Sequence, residues 1–230
     1  MNSSLIFVPV YLEAVKKSLV VSFHISHCVM SDNFLAEIKS RRTCYSIEAK
    51  SPISDARIVE IAREVVKHTP SSFNCQSTRL VVLLRDEHIK FWDMARECFK
   101  ATMKPDIYTE YEKKLLQRRE GYGTVLLFED LDVIREYQAK FPRFATHLLQ
   151  FSEHNNAMQA FNLWTALSLE GLGCNLQHIN PIIDQRIIGQ WDISPQWSLK
   201  AQLVFGQPTG EPAHDKTFLP TENRLFMHGI

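Results

Sequence analysis

The feature that most constrains this fold is the helical pattern running from about residue 144 to residue 170. It carries Phe144, Leu148 and Phe151, then Met158, Phe161, Trp164, Thr165, Leu167 and Ser168. Its later turns are apolar almost all round. Such a helix belongs at the centre of a fold or at a subunit interface, because no side is left for water. Gly171-Leu172-Gly173 follows and reads as a glycine C-cap. Three short apolar runs accompany the helix: residues 79–84, Thr124 to Phe128, and Trp197 to Phe205, the last closed by Gly206-Gln207-Pro208. Each reads as a buried strand, and helical patterns separate them. Together they predict an α+β sandwich.

The other elements are shorter. Asp32 or Asn33 caps a first helix with Phe34, Leu35 and Ile38, ending near Ser40. Ser54 or Asp55 caps a second, whose Ile58, Ile61, Ala62, Val65 and Val66 recur at the spacing of a buried stripe, and Pro70 stops it. Asp86 opens a third, and Pro181 to Trp191 holds a short one. Residues 103–123 are rich in charge and tyrosine and read as a mobile insertion. Residues 207–216 read as a loop and Thr217 to Ile230 as an extended tail.

Charge and cysteine content narrow the class. Twenty-six basic and 26 acidic residues leave no net charge, which argues against a nucleic-acid surface. Five cysteines without a CxxC pair read as reduced thiols in an intracellular compartment, and no Cys/His spacing fits a metal site. The apolar stretches of residues 1–29 are too short to span a bilayer, and Lys16 and Lys17 break a secretory pattern. Met30 opens a natural start, so 1–29 reads as an appended segment or a start-site artefact, with a weak organelle leader as the alternative. Residues 30–230 then form one domain, with a cytoplasmic location expected and the nucleus also open to it.

Four constellations carry chemistry, each with a plainer reading beside it. Arg41-Arg42-Thr43-Cys44-Tyr45 offers two guanidinium forks and a hydroxyl to a phosphate; cations at a helix C-terminus are the alternative. Pro70-Ser71-Ser72-Phe73-Asn74-Cys75-Gln76 packs hydroxyls and amides ahead of a strand, which suits a heterocycle edge, although a helix cap accounts for one hydroxyl. Gly171-Leu172-Gly173 lets backbone approach a flat ligand, or simply ends a helix. Lys216 and Arg224 could complete a phosphate site or be solvated tail cations. There is no GxSxG, HExxH or P-loop. Amides, arginines and backbone are what an enzyme supplies when a cofactor carries the reaction.

Taken in order, these pieces resemble the nitroreductase-like flavoprotein superfamily: Arg41-Arg42-Thr43 its RRS element, Pro70 to Gln76 its PSSxNxQ element, Gly171-Leu172-Gly173 its GLG turn and Phe205-Gly206-Gln207-Pro208 its FGxP strand end. The wording around Arg41–Tyr45, Lys67–Pro70, Asn175–Pro181 and Lys216–Pro220 is similar to its fungal and bacterial branch of fatty acid repression mutant type. The resemblance covers about residues 30–230. It implies a mixed, mostly antiparallel sheet flanked by helices, and a homodimer with domain-swapped C-terminal tails and FMN at two interface sites. It also implies ping-pong turnover, in which NAD(P)H is the donor and a nitroaromatic or quinone-like molecule the small aromatic acceptor. A regulatory flavin-binding relative in lipid or stress signalling is the alternative.

Carried over by position, Arg41, Arg42, Thr43 and Lys216 would hold the phosphate, with Arg224 a further partner. Ser71, Asn74 and Gln76 would address the ring and ribityl chain, and Leu176, Gln177 and His178 would line the ring with backbone N–H groups. Tyr45 would stand where the family often has a cation. No side chain is expected as an obligatory acid, no metal and no membrane insertion are implied, and Tyr108, Tyr111 and Tyr122 could stack on the acceptor.

Overall fold

Gly123–Asp130 is buried at all eight positions, which places this strand, β3, inside a sheet covered on both faces. The computed structural model of the chain describes residues 31–210 and 215–230; the expectations for residues 1–29 and part of the 207–216 loop lie outside the described residues. The chain divides into two units, residues 1–41 and 42–230. In the first, residues 31–40 form helix α1 as expected, with Phe34 and Leu35 exposed.

The second unit holds the sheet. In chain order it contains β1 (Ile47–Glu48), α2 (Asp55–His68), β2 (Thr78–Leu84), α3 (Asp86–Thr102), α4 (Pro105–Arg119), β3, α5 (Leu131–Lys140), α6 (Leu148–Leu169), β4 (Gly173–Gln177), α7 (Asp184–Trp191) and β5 (Trp197–Pro208). All strand pairs are antiparallel: β2 and β5 flank β3, β4 pairs with β5 on its other edge, and β1 joins the end of β5. The register with β3 slips once, where Leu127 faces Ala201 but Phe128 faces Leu199, leaving Lys200 as a bulge.

Alternation along β3 builds two cores. Val125 and Leu127 pack with Ile58 and Ile61 of α2 and with Leu163 and Leu167 of α6. Leu126 and Phe128 pack with Phe91 and Trp92 of α3, Leu115 of α4 and Ile187 of α7. Burying each such side chain stabilises the fold by roughly 1.5–3 kcal/mol. The α+β sandwich and its three principal strands are therefore as expected. β4 and β1 add to them; five and two residues long, neither shows a strand period.

The residues read as a mobile insertion are instead an ordered helix. Pro105 sits at the first turn of α4, Asp106 follows, and Arg118 and Arg119 end it, all in the sense the helix dipole favours. Tyr108 and Leu115 point into the core. Arg96 of α3 meets Glu112 at 2.6 Å, and Arg119 meets Asp93 at 2.7 Å, so α3 and α4 pair as an antiparallel hairpin. The tyrosines offered for acceptor stacking have partners within the chain. Tyr108 donates to Glu112 at 2.9 Å, Tyr111 lies on Phe99, and Tyr122 donates to Asp55. The long helix also starts later than its pattern, because Pro142–Phe144 forms a separate 3-10 turn. The tail likewise includes a 3-10 turn at Thr221–Asn223.

His88 fastens α4 to the sheet. The Trp92 Nε1–H can only donate, and does so to Thr124 Oγ1 at 3.0 Å. The Thr124 hydroxyl then donates to His88 Nδ1 at 2.8 Å, so the imidazole proton lies on Nε2 and reaches the Arg119 carbonyl at 3.2 Å. Burial holds the His88 pKa down at about 4, against an ordinary value of 6.5. Below pH 6.5 the unfolded chain therefore takes up a proton that the folded chain refuses. Urea unfolding should show a loss of about 3 kcal/mol of stability as pH falls from 6.5 to 4. The buried Glu129 carboxyl, raised by burial, acts in the opposite sense just above its ordinary value. A His88→Gln variant, compared across the same range, should lose the histidine component and so isolate it.

Candidate functional site

The Gly171 turn sets the site. Gly171 has φ +84°, its N–H donates to the Ser168 carbonyl, and the Leu172 N–H donates to the Leu167 carbonyl, which together close α6 as a Schellman cap. β4 begins at Gly173. A Cβ there would stand 2.9 Å from the Cys44 sulfur and 3.0 Å from Ile47, so only glycine lets the 43–47 segment lie this close. Thr43 and Cys174 form a parallel bridge, and the Cys44 N–H donates to the Cys174 carbonyl at 2.8 Å. The glycine turn thus caps a helix, as the plainer reading expects, and Gly173 also admits a second segment of the chain.

A line of side-chain amides completes this region. Asn175, fully buried, donates through Nδ2 to the Cys44 carbonyl at 2.9 Å. Gln177 donates through Nε2 to Asn175 Oδ1 at 2.9 Å, and Arg118 donates through Nε to Gln177 Oε1 at 2.6 Å. The Arg118 guanidinium also lies 5.4 Å from the centre of the Tyr45 ring. Burial lowers the Arg118 pKa and raises that of the Cys44 thiol. Thr43, Tyr45 and Gln177 are therefore brought together, with Arg42 entering the same segment. Leu176 turns to the opposite face and packs in the core, while His178, past the strand end, is exposed. Arg41 belongs to the first unit, where its N–H donates to the Glu37 carbonyl at 3.0 Å.

The second group is a strained loop. Phe73, Asn74 and Gln76 all have φ between +52° and +58°. Left-handed residues other than glycine cost of order 1–3 kcal/mol each and persist where surroundings hold them. The Ser71 hydroxyl accepts from the Gln76 N–H at 3.0 Å, so its capping role is local. Asn155 of α6 accepts from the Ser72 N–H at 3.3 Å. Its neighbour Asn156 donates to buried Glu129 at 3.0 Å, and Glu129 also accepts from the hydroxyls of Ser77 and Thr78. Adjacent amides of one helix thus grip the loop directly and through the sheet, leaving the side chains of Asn74 and Gln76 exposed.

Within one chain the two groups are separated. The loop enters β2 at Thr78, whose register continues to Glu129 and Ser198. Thr43 and Cys174 lie at the other end, level with Phe205, Gly123 and Leu84. Six residues of strand make the offset about 20 Å along the sheet. Of the tail residues, Lys216 is half-buried, Arg224 is exposed, and the Arg224 N–H donates to the Thr221 carbonyl.

Sequence reasoning missed Arg118, Asn155, Asn156 and Glu129. Arg118 had a signal: Tyr108, Tyr111 and Leu115 recur at helical spacing after Pro105. The three others are polar residues buried by tertiary packing, and nothing local marks them.

An α+β sandwich whose polar groups are assembled from segments far apart in sequence suits a protein in which a cofactor carries the reaction. The Nitroreductase family model matches residues 38–207, and the chain belongs to that family; it is an oxidoreductase. It is 32% identical over 195 residues to HBN1 of Saccharomyces cerevisiae, covering 84% of this chain and 96% of the relative, and 31% identical to the nitroreductase FRM2 of the same yeast, covering 81% and 93%. The solved nitroreductase CinD of Lactococcus lactis in complex with chloramphenicol superposes with a TM-score of 0.78 at 33% identity, over 85% of this chain and all of that one. A Desulfovibrio desulfuricans protein solved with FMN shares the fold at 19% identity, with a TM-score of 0.59 over 85% of this chain and 96% of that one. The expected family and its fungal and bacterial branch are both borne out.

The loop clamp makes a direct prediction. Replacing Asn156 with Ala removes one donor from buried Glu129, and should lower the unfolding free energy by about 1–3 kcal/mol in urea. Amide exchange across Ser72–Gln76 should accelerate with it.

Proposed function

We propose that this chain is an FMN-dependent oxidoreductase that accepts electrons from NAD(P)H and passes them to nitroaromatic or quinone-like molecules in a ping-pong cycle, as a homodimer. The observation that carries the reading is the hydrogen-bonded line from Arg118 through Gln177 and Asn175 to Cys44, which draws three distant segments into one place. The donor set suits FMN: Arg42, Thr43 and Lys216 offer cations and a hydroxyl for a phosphate, and the end of β4 offers backbone for a flat ring. When bound, FMN supplies the two-electron chemistry. The protein residues bind it, orient it and leave one side open to the two substrates in turn.

Two observations support a second copy. The Ser71–Gln76 loop and the Arg42–Tyr45 segment sit about 20 Å apart along the sheet of one chain, so a ligand touching both draws them from different copies. Apolar surface is also left uncovered: Leu149, Met158 and Leu169 on α6, and Phe218, Leu219 and Phe226 in the tail, at 72% exposure for Phe226. Aromatic nitro compounds suit the acceptor role, as the CinD complexes with chloramphenicol and 4-nitrophenol concern such ligands. Among the described residues no helix is long and apolar enough to cross a membrane. Cys44, Cys75 and Cys98 are free thiols, in keeping with a cytoplasmic setting.

Purified protein should be yellow, or become so with added FMN. Its visible flavin band should bleach with NADH or NADPH without oxygen and return on adding a nitroarene. Asn74→Ala should weaken FMN binding about tenfold or more, a loss of about 1.4 kcal/mol, with the far-ultraviolet spectrum unchanged. A colourless monomer that takes up no FMN would refute the proposal.

A further inference from the structure

Arg118 is a cation held by an amide oxygen and a backbone carbonyl. Its neighbour Arg119 forks onto Asp93 at 2.7 and 3.0 Å, and Arg96 meets Glu112 at 2.6 Å. Among the described residues no carboxylate pairs with Arg118, although it is half-buried. Its Nε is spent on Gln177 and its Nη1 on the Lys114 carbonyl of its own helix, while Nη2 meets no hydrogen-bond partner among the described residues. The ring of Tyr45 closes one side of the guanidinium. Desolvating a charge without a counter-charge is costly, and removing water from it strengthens its field on whatever binds beside it.

The position of this charge is well defined. It is held by Gln177, the last residue of β4, and by Tyr45, three residues after Arg42. These are the two segments that the proposed function assigns to the flavin, so the inference rests on that reading. A nicotinamide donor delivers a hydride, two electrons and one proton, and leaves as the pyridinium cation. The neutral oxidised flavin ring thereby gains one N–H bond and one negative charge. A fixed guanidinium beside the ring favours the reduced form over the oxidised form, because only the reduced form carries that charge.

We propose that Arg118, carried on α4 and aimed by Gln177 and Tyr45, is the charge partner of the reduced flavin ring in this protein and sets its reduction potential.

The test is a thermodynamic cycle on the FMN-loaded protein. Dissociation constants are measured for oxidised and for reduced FMN, and the midpoint potential by anaerobic dye titration, in the wild type, Arg118→Gln, Arg118→Lys and Gln177→Glu. Arg118→Gln should weaken reduced FMN at least tenfold more than oxidised FMN, lowering the two-electron potential by about 30 mV or more. Arg118→Lys should recover part of that shift. Gln177→Glu keeps the side-chain shape but gives Arg118 a carboxylate, and should lower the potential in the same direction; it decides the matter if Arg118→Gln does not fold. Equal weakening of both redox forms would overturn the proposal, since it would place the guanidinium against a group whose charge never changes. Unaltered potentials in Arg118→Gln or Gln177→Glu would overturn it alone. A wild type that binds no FMN would overturn this proposal and the proposed function together.

Discussion

The structure depends on the burial of β3 along both faces. A strand enclosed in this way can satisfy its backbone only through neighbours on each side, and its side chains only through helices above and below. β2 and β5 supply the first, and α2 with α6 and α3 with α4 the second. The site follows from the same arrangement. Because α6 must lie on the sheet for much of its 22 residues, its C-terminal turn is fixed near the sheet edge, where β4 begins. Its first half must also meet the loop that leads into β2, which is why Asn155 and Asn156 are buried polar residues in a helix whose later turns are apolar.

Much of this was legible in the chain, and the exceptions have physical causes. The α2 stripe, the Ser54 cap and the β2, β3 and β5 runs are local patterns that survive into the fold, since burial there selects residues by period. β4 was not legible as a strand, because its identity comes from pairing with Gly206 to Gln202 rather than from its own five residues. α4 was misread because charge was weighed above spacing. Its acidic and basic residues are fastened to α3, and only Tyr108 and Leu115 reveal the buried side.

The site was legible in parts. Thr43, Tyr45 and Gln177 lie together, as their order in the motif pattern suggested, and the Ser71–Gln76 segment forms a polar loop with exposed amides. The residues that aim these groups were silent in sequence. Asn175 appears as one amide among several, and Glu129 as the acidic end of a strand. Their roles exist only once Cys44 and Ser77 are beside them.

The bulge at Lys200 has a consequence for how β5 tolerates change. Before it, Leu199 faces the α3 side; after it, Ala201, Leu203 and Phe205 all face α6, a parity that an unbroken pleat would reverse. Lys200 is thus a spare step in the strand, paired with Glu153 of α6 at 2.6 Å. Losing that one residue would straighten the ribbon and keep every core side chain on its own side. Adding a residue further along β5 would turn the remainder of the strand inside out.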